Sequence, residues 1–115
     1  MKKGENMGKV YVVQENPKVN VIGAARFGEL VPLLRPGTQI TLSSSPVVHS
    51  LRIKLKDFSD EDYLLAMGDP AAIAIASMVA SEINNGFVNI LKWDRENHAY
   101  YNVEIDLFKR KEKDV

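Results

Sequence analysis

Apolar residues along this chain alternate between short β-branched runs and longer helical stripes, and the pattern centres on one unit, Asp57 to Gly86. Within it, Ser59 to Asp62 predicts a polar turn, Tyr63 to Met67 a short buried strand, Gly68-Asp69 a tight bend, and Pro70 the opening of a helix. Asp69 suits the N-cap, and Pro70 suits the first helical position, where the missing N–H would have no partner anyway. The helix carries Ile73, Ala74, Ile75, Ala76, Met78, Val79, Ala80 and Ile83. Being apolar nearly all round, it is expected in the centre, covered on most sides. Asn84-Asn85-Gly86 ends it, with Gly86 free to take a left-handed conformation.

The rest of the chain arranges itself around that unit. Lys9 to Gln14, with Val10, Tyr11, Val12 and Val13 in succession, predicts a strand buried on both faces. Glu15 to Gly23 follows as a loop, marked by Asn16-Pro17. Ala24 to Val31 predicts about two turns of helix, weakened by Gly28 and Pro32, with Leu33 and Leu34 as irregular buried chain. After the turn pair Pro36-Gly37, Thr38 to Leu42 predicts the second strand. Ser43-Ser44-Ser45-Pro46 repeats the cap-then-proline logic, and Pro46 to Phe58 predicts a helix with Val47, Val48, Leu51, Leu55 and Phe58 on one face. Phe87 to Trp93 and Tyr100 to Phe108, separated by Asp94-Arg95-Glu96-Asn97, predict an antiparallel hairpin.

Strand, helix, strand, helix, strand, helix and hairpin together specify an α/β sandwich of two or three layers, with a mostly parallel sheet and a C-terminal antiparallel hairpin. Right-handed crossovers set the first three strands side by side and let the hairpin extend one edge. The expected domain spans residues 9–108, between a loose N-terminus (1–8) and a charged tail (109–115).

Composition narrows the function classes. A 115-residue chain buries a sizeable core without staples, and its 45% apolar and 26% charged content is ordinary for a globular domain. Fifteen basic residues balance fifteen acidic ones, which argues against a protein devoted to nucleic acid. There is no cysteine, hence no disulfide, thiolate nucleophile or cysteine-based metal site. No apolar run approaches the roughly 18 residues of a membrane span, so a cytoplasmic protein is the expectation.

Candidate chemistry is thin. In a parallel sheet ligands collect beyond the carboxyl ends of the strands, and Gln14-Glu15-Asn16, Ser43-Ser44-Ser45 and Gly68-Asp69 all arrive there. Ser43, Ser44, Ser45, Gly68 and Asp69 are therefore the candidate ligand contacts, with helix capping as the plainer reading. Asp69 would repel a phosphate. No Walker loop or dinucleotide fingerprint is present. Asp57, Asp60, Glu61 and Asp62 lack calcium-loop spacing and read as turn residues. Neither His49 nor His98 has a triad partner that sequence can place, so no catalytic residue, metal site or cofactor is assigned. Arg52, Lys54 and Lys56 make their helix locally basic, either as an ordinary solvated face or as a contact for nucleic acid or an acidic protein. Trp93, Tyr100 and Tyr101 either cover the sheet or serve as exposed anchors for a partner.

The segments Lys9 to Glu15, Arg26 to Leu30, Leu55 to Pro70 and Leu91 to Asp94 resemble a small uncharacterised accessory protein of short-tailed, podovirus-like bacteriophages, a likeness covering Lys9 to Leu107. It implies a virus-encoded protein made in the cytoplasm of a bacterial host. It carries no catalytic motif, so no functional residue transfers. The expectation is a non-enzymatic protein that binds and modulates a host or phage protein, with Trp93, Tyr100, Tyr101, Arg52 and Lys56 as contact residues. Self-association through the hairpin edge is a related expectation, because unpaired strand edges invite pairing. The alternative is a nucleotide-binding or phosphorylated-ligand domain, or a modest enzyme, at the strand ends. Nucleic acid is the least favoured partner, and no membrane role is expected.

Overall fold

The computed structural model describes residues 8–40 and 44–111. Five strands, β1 (Gly8–Gln14), β2 (Gly28–Leu34), β3 (Tyr63–Leu65), β4 (Phe87–Asp94) and β5 (Ala99–Asp106), form one sheet in the order β2-β1-β3-β4-β5. β1 pairs parallel with β2 and β3, and β3 pairs parallel with β4. β5 returns antiparallel along β4. The chain is thus an α/β fold with a mostly parallel sheet and a C-terminal hairpin. β3 occupies its middle.

Side-chain alternation divides the sheet into two unlike faces. Tyr11, Val13, Leu64 and Val88 join the cluster covered by two helices, α1 (Ser45–Lys54) and α2 (Pro70–Ile83). Val10, Val12, Leu65, Leu91 and Tyr100 belong to a second cluster, to which a 3-10 segment (Ile22–Phe27) contributes the buried Ala24. Leu51, Leu55, Leu64 and Leu91 are almost fully buried, each removal from water stabilising the fold by about 1.5–3 kcal/mol.

Four expectations are corrected. Ala24 to Val31 is not a helix: the chain makes a 3-10 segment over Ile22–Phe27 and then becomes β2 at Gly28. Gly28, Val31 and Pro32 all disfavour helix, and a proline is tolerated here because β2 is an edge strand. The second strand is therefore Gly28–Leu34, with Leu33 and Leu34 as its buried end; residues 38–40 have no regular structure, and Thr41 and Leu42 lie outside the described residues. α1 ends at Lys54, although Phe58 is buried as its pattern required. α2 is less enclosed than its composition suggested: Ala72, Ala76, Val79 and Ala80 are buried, whereas Met78 is 68% exposed. One helix neighbour and one sheet face cannot cover a helix all round.

Local chemistry explains the joints. Asp69 caps α2 by accepting from the Ala71 N–H at 2.8 Å, with Pro70 opening the helix as expected. Gly86 has φ +80° after the end of α2, the left-handed geometry that its sequence position required. The turn before β3 is organised by the buried Asp62, whose carboxylate accepts from the backbone N–H of Lys9 (2.8 Å) and of Ser59 (2.7 Å). That acidic cluster thus ties the start of β1 to the start of β3.

Candidate functional site

The carboxyl ends of β1 and β3 meet where a ligand was expected, and the chain's own groups engage one another there. The Gln14 side chain donates to the carbonyls of Thr38 (2.7 Å) and Arg35 (3.2 Å) and accepts from the Asp69 N–H (2.8 Å). Gly68 sits against it at φ +117°, and a Cβ there would fall 2.4 Å from the Gln14 Cβ. Asp69 accepts from Ala71 N–H with one oxygen and from Ile40 N–H, at 3.4 Å, with the other. Gly68 and Asp69 therefore serve as joint and cap. Ser44 is the N-cap residue of α1, where its carbonyl, rather than its hydroxyl, accepts from the Val47 and Val48 N–H groups; Ser45 is the first helical residue. Ser43 lies outside the described residues.

Alternation separates the hairpin aromatics that sequence placed together. Trp93 and Tyr100 are cross-strand partners on the 3-10 face, their rings edge-to-face with centroids 4.9 Å apart. Tyr101 pairs with Lys92 on the opposite face and is 43% exposed. Tyr100 is buried, which pushes its phenol pKa up, while Trp93 remains 48% exposed.

Trp93 and Tyr100 line a cleft of about 860 Å³ between the hairpin and the 3-10 segment. Its floor is Leu65, Ala66 and Met67 at the carboxyl end of β3; Val19, Ile22 and Gly23 form the facing wall, and His98 closes the turn end. Among the described residues, Lys18 and Arg26 are the charged ones lining it, with no carboxylate beside them. Arg26 is held in place twice, donating to the Tyr100 carbonyl at 3.0 Å and stacking 4.3 Å above the Phe27 ring. Ile22, 68% exposed, and Val19, 42% exposed, present uncovered apolar surface beside Trp93.

Sequence reasoning found Trp93 and Tyr100 but missed this wall. Val19, Ile22 and Arg26 fall in stretches read as loop and helix, and their signal was the apolar pair Val21-Ile22 in an otherwise polar loop. The basic helix face is partly neutralised: Arg52 makes a forked contact to Glu82 on α2, and Lys54 donates to the Leu33 carbonyl. Lys56 is exposed in the turn after α1, a helix that packs on the sheet face opposite the cleft. Asp60 pairs with Arg110 at 3.2 Å and Lys111 at 3.3 Å, and its carboxyl is held below the ordinary aspartate value chiefly by the Asn84 amide. Among the described residues, no three His, Cys, Asp or Glu side chains converge as metal ligands.

Residues 8–107 match the family model described as phage Pam3 gp32-like protein. Neither the curated proteins nor the solved structures contain a match. No helix among the described residues is long and apolar enough to cross a membrane.

Proposed function

The chain belongs to the phage Pam3 gp32-like protein family, and we propose that it acts as a non-enzymatic accessory protein that binds a host or phage protein and modulates it. The contact is the cleft between the hairpin and the 3-10 segment. Its occupant is a peptide segment of the partner, carrying an apolar or aromatic anchor flanked by carboxylates.

One observation carries this reading: a half-exposed tryptophan, backed by a buried tyrosine, faces a concave apolar wall whose charged lining residues are both cationic. An aromatic side chain supported from behind loses little freedom when a partner covers it, which is why such residues dominate contact energies. Lys18 and Arg26 supply attraction for acidic flanks, and no carboxylate among the described residues lines the cleft to oppose it.

Trp93 is the chain's single tryptophan, so its emission reports directly on the cleft. Synthetic peptides with an apolar anchor flanked by Asp and Glu should shift that emission to the blue, with an affinity that falls as salt is added. The same anchor flanked by Lys should bind at least about tenfold more weakly, a difference of about 1.4 kcal/mol. Peptide binding should be weakened in Ile22→Ser, which leaves the reporter in place. Equal response to acidic and basic flanks, or no response to either, refutes the reading.

A further inference from the structure

We infer that the partner segment is read at two points. Resting on the peptide-binding reading above, a second recess beside the Trp93 cleft takes a lysine or arginine of the same peptide, about four residues from the apolar anchor. This recess, of about 360 Å³, lies on the same face of the sheet as the cleft. Val12 and Leu30 form its floor, Pro17, Pro32 and Pro36 its walls, and Glu15 its lip. Val19 and Met67 border both hollows, so cleft and recess adjoin, with the partly exposed Val19 between them.

The two hollows carry opposite charge. Lys18 and Arg26 line the cleft, whereas Glu15 is the charged residue among the described ones lining the recess. No Lys or Arg among the described residues pairs with Glu15. Apolar walls that end in one carboxylate suit a side chain with a hydrocarbon stem and a cationic head, because the stem leaves water while the head stays at the lip. An acidic side chain there meets repulsion, and an apolar one crowds water from Glu15 without replacing it. Proline walls have almost no rotamer freedom to lose when the stem is seated.

The loop after β1 is fastened so that these charges stay apart. The Glu15 N–H donates to the Leu34 carbonyl at 3.2 Å, extending the β1–β2 ladder past Gln14↔Leu34. Asn16 then closes a turn: its carbonyl accepts from the Val19 N–H at 3.0 Å, and its side-chain oxygen accepts from the Lys18 N–H at 3.0 Å. Glu15 thereby falls on the recess side of the turn and Lys18 on the cleft side. A segment with carboxylates beside its anchor and a cation further along meets opposite charge at both ends. The exchanged arrangement meets like charge at both.

Strand order sets the spacing. The cleft centres on Trp93 in β4, and the recess on β1 and β2, two to three strands away. At about 4.8 Å per strand the separation is about 12 Å, which an extended chain crosses in about four residues at roughly 3.3 Å each. Residues four apart on an extended chain point to the same side, so the anchor and the basic side chain enter the groove together.

Trp93 emission reads the first point, so peptides that differ only at the second separate the two readings. The probes are synthetic peptides with a leucine anchor, two aspartates beside it, and Arg, norleucine or Glu four residues along on the other side, made in both chain directions. In one direction Arg should bind about threefold to fivefold tighter than norleucine, which keeps the stem and lacks the charge, and Glu should bind weakest. Glu15→Gln should bring Arg to the norleucine level, and Glu15→Lys should place Glu above Arg. Glu15 is exposed and keeps its backbone bond to Leu34 in both variants, so far-UV circular dichroism and the unfolding midpoint should stay unchanged. Equal binding of Arg and norleucine in both directions overturns the inference, as does a gain that survives Glu15→Gln. A best spacing of about seven residues, as on one face of a helix, also overturns it. Anchor peptides that leave the emission unmoved refute the cleft reading and this inference with it, whereas an anchor that binds without any gain from Arg refutes the second point alone.

Discussion

The two faces of the sheet are finished to different standards. On the face carrying Tyr11, Val13, Leu64 and Val88, α1 and α2 close over a leucine-rich cluster, and Leu51 and Leu55 are fully buried. On the other, six residues of 3-10 helix and a polar loop cover Val10, Val12 and Leu65, and the surface stays open around Trp93 and Ile22. The buried leucine core therefore lies on the first face and the exposed apolar surface on the second. A thick helical layer supplies the core, which lets the opposite face remain concave and partly apolar without unfolding the sheet.

The comparison breaks most sharply with paired substitutions on the two faces. Leu64→Ala, at the centre of the helix-covered side, is expected to cost about 2–5 kcal/mol in urea or guanidinium unfolding. Ile22→Ser on the thin side should change stability by less than about 0.5 kcal/mol while weakening peptide binding. Comparable losses at both sites would show that the thin face is as essential to the core as the thick one.

Gly68→Ala tests the joint between β3 and α2. Its φ of +117° and the 2.4 Å approach to the Gln14 Cβ both oppose a methyl group, so a loss of about 1–3 kcal/mol is expected. Asp60 provides a smaller, pH-dependent effect. Its folded pKa is depressed by the Asn84 amide and by Lys111 and Arg110. Its contribution is therefore complete above the unfolded value, near pH 4, and is lost as pH falls through the lower folded value. Asp60→Asn should flatten that part of the acid unfolding profile. The smallest effect belongs to the basic helix: Arg52 and Glu82 are 56% and 59% exposed, and Arg52→Ala should cost no more than about 1 kcal/mol.

Local chemistry made much of this molecule legible. Asp69-Pro70 announced a helix start and Asn84-Asn85-Gly86 a stop, because caps are decided within one turn of chain. Tyr63–Leu65 and the Phe87–Asp94, Ala99–Asp106 hairpin followed from runs of strand-forming residues and a polar turn. Misreading Gly28–Leu34 as helix plus irregular chain had a specific cause: Leu30, Val31, Leu33 and Leu34 suit either period, and the arbiter is the ladder with β1, a contact remote in sequence.

The sequence by itself thus determined the element types wherever a cap, turn or β-branched run acts on its neighbours, and with them the α/β class. Tertiary structure alone decided which residues share a site. It parted Trp93 from Tyr101 by strand alternation, brought Val19, Ile22 and Arg26 across to Trp93, and spent Gln14, Gly68 and Asp69 on one another. The physical reason is range: backbone preferences are set within a few residues, whereas a cleft is made by side chains whose proximity depends on strand order and register.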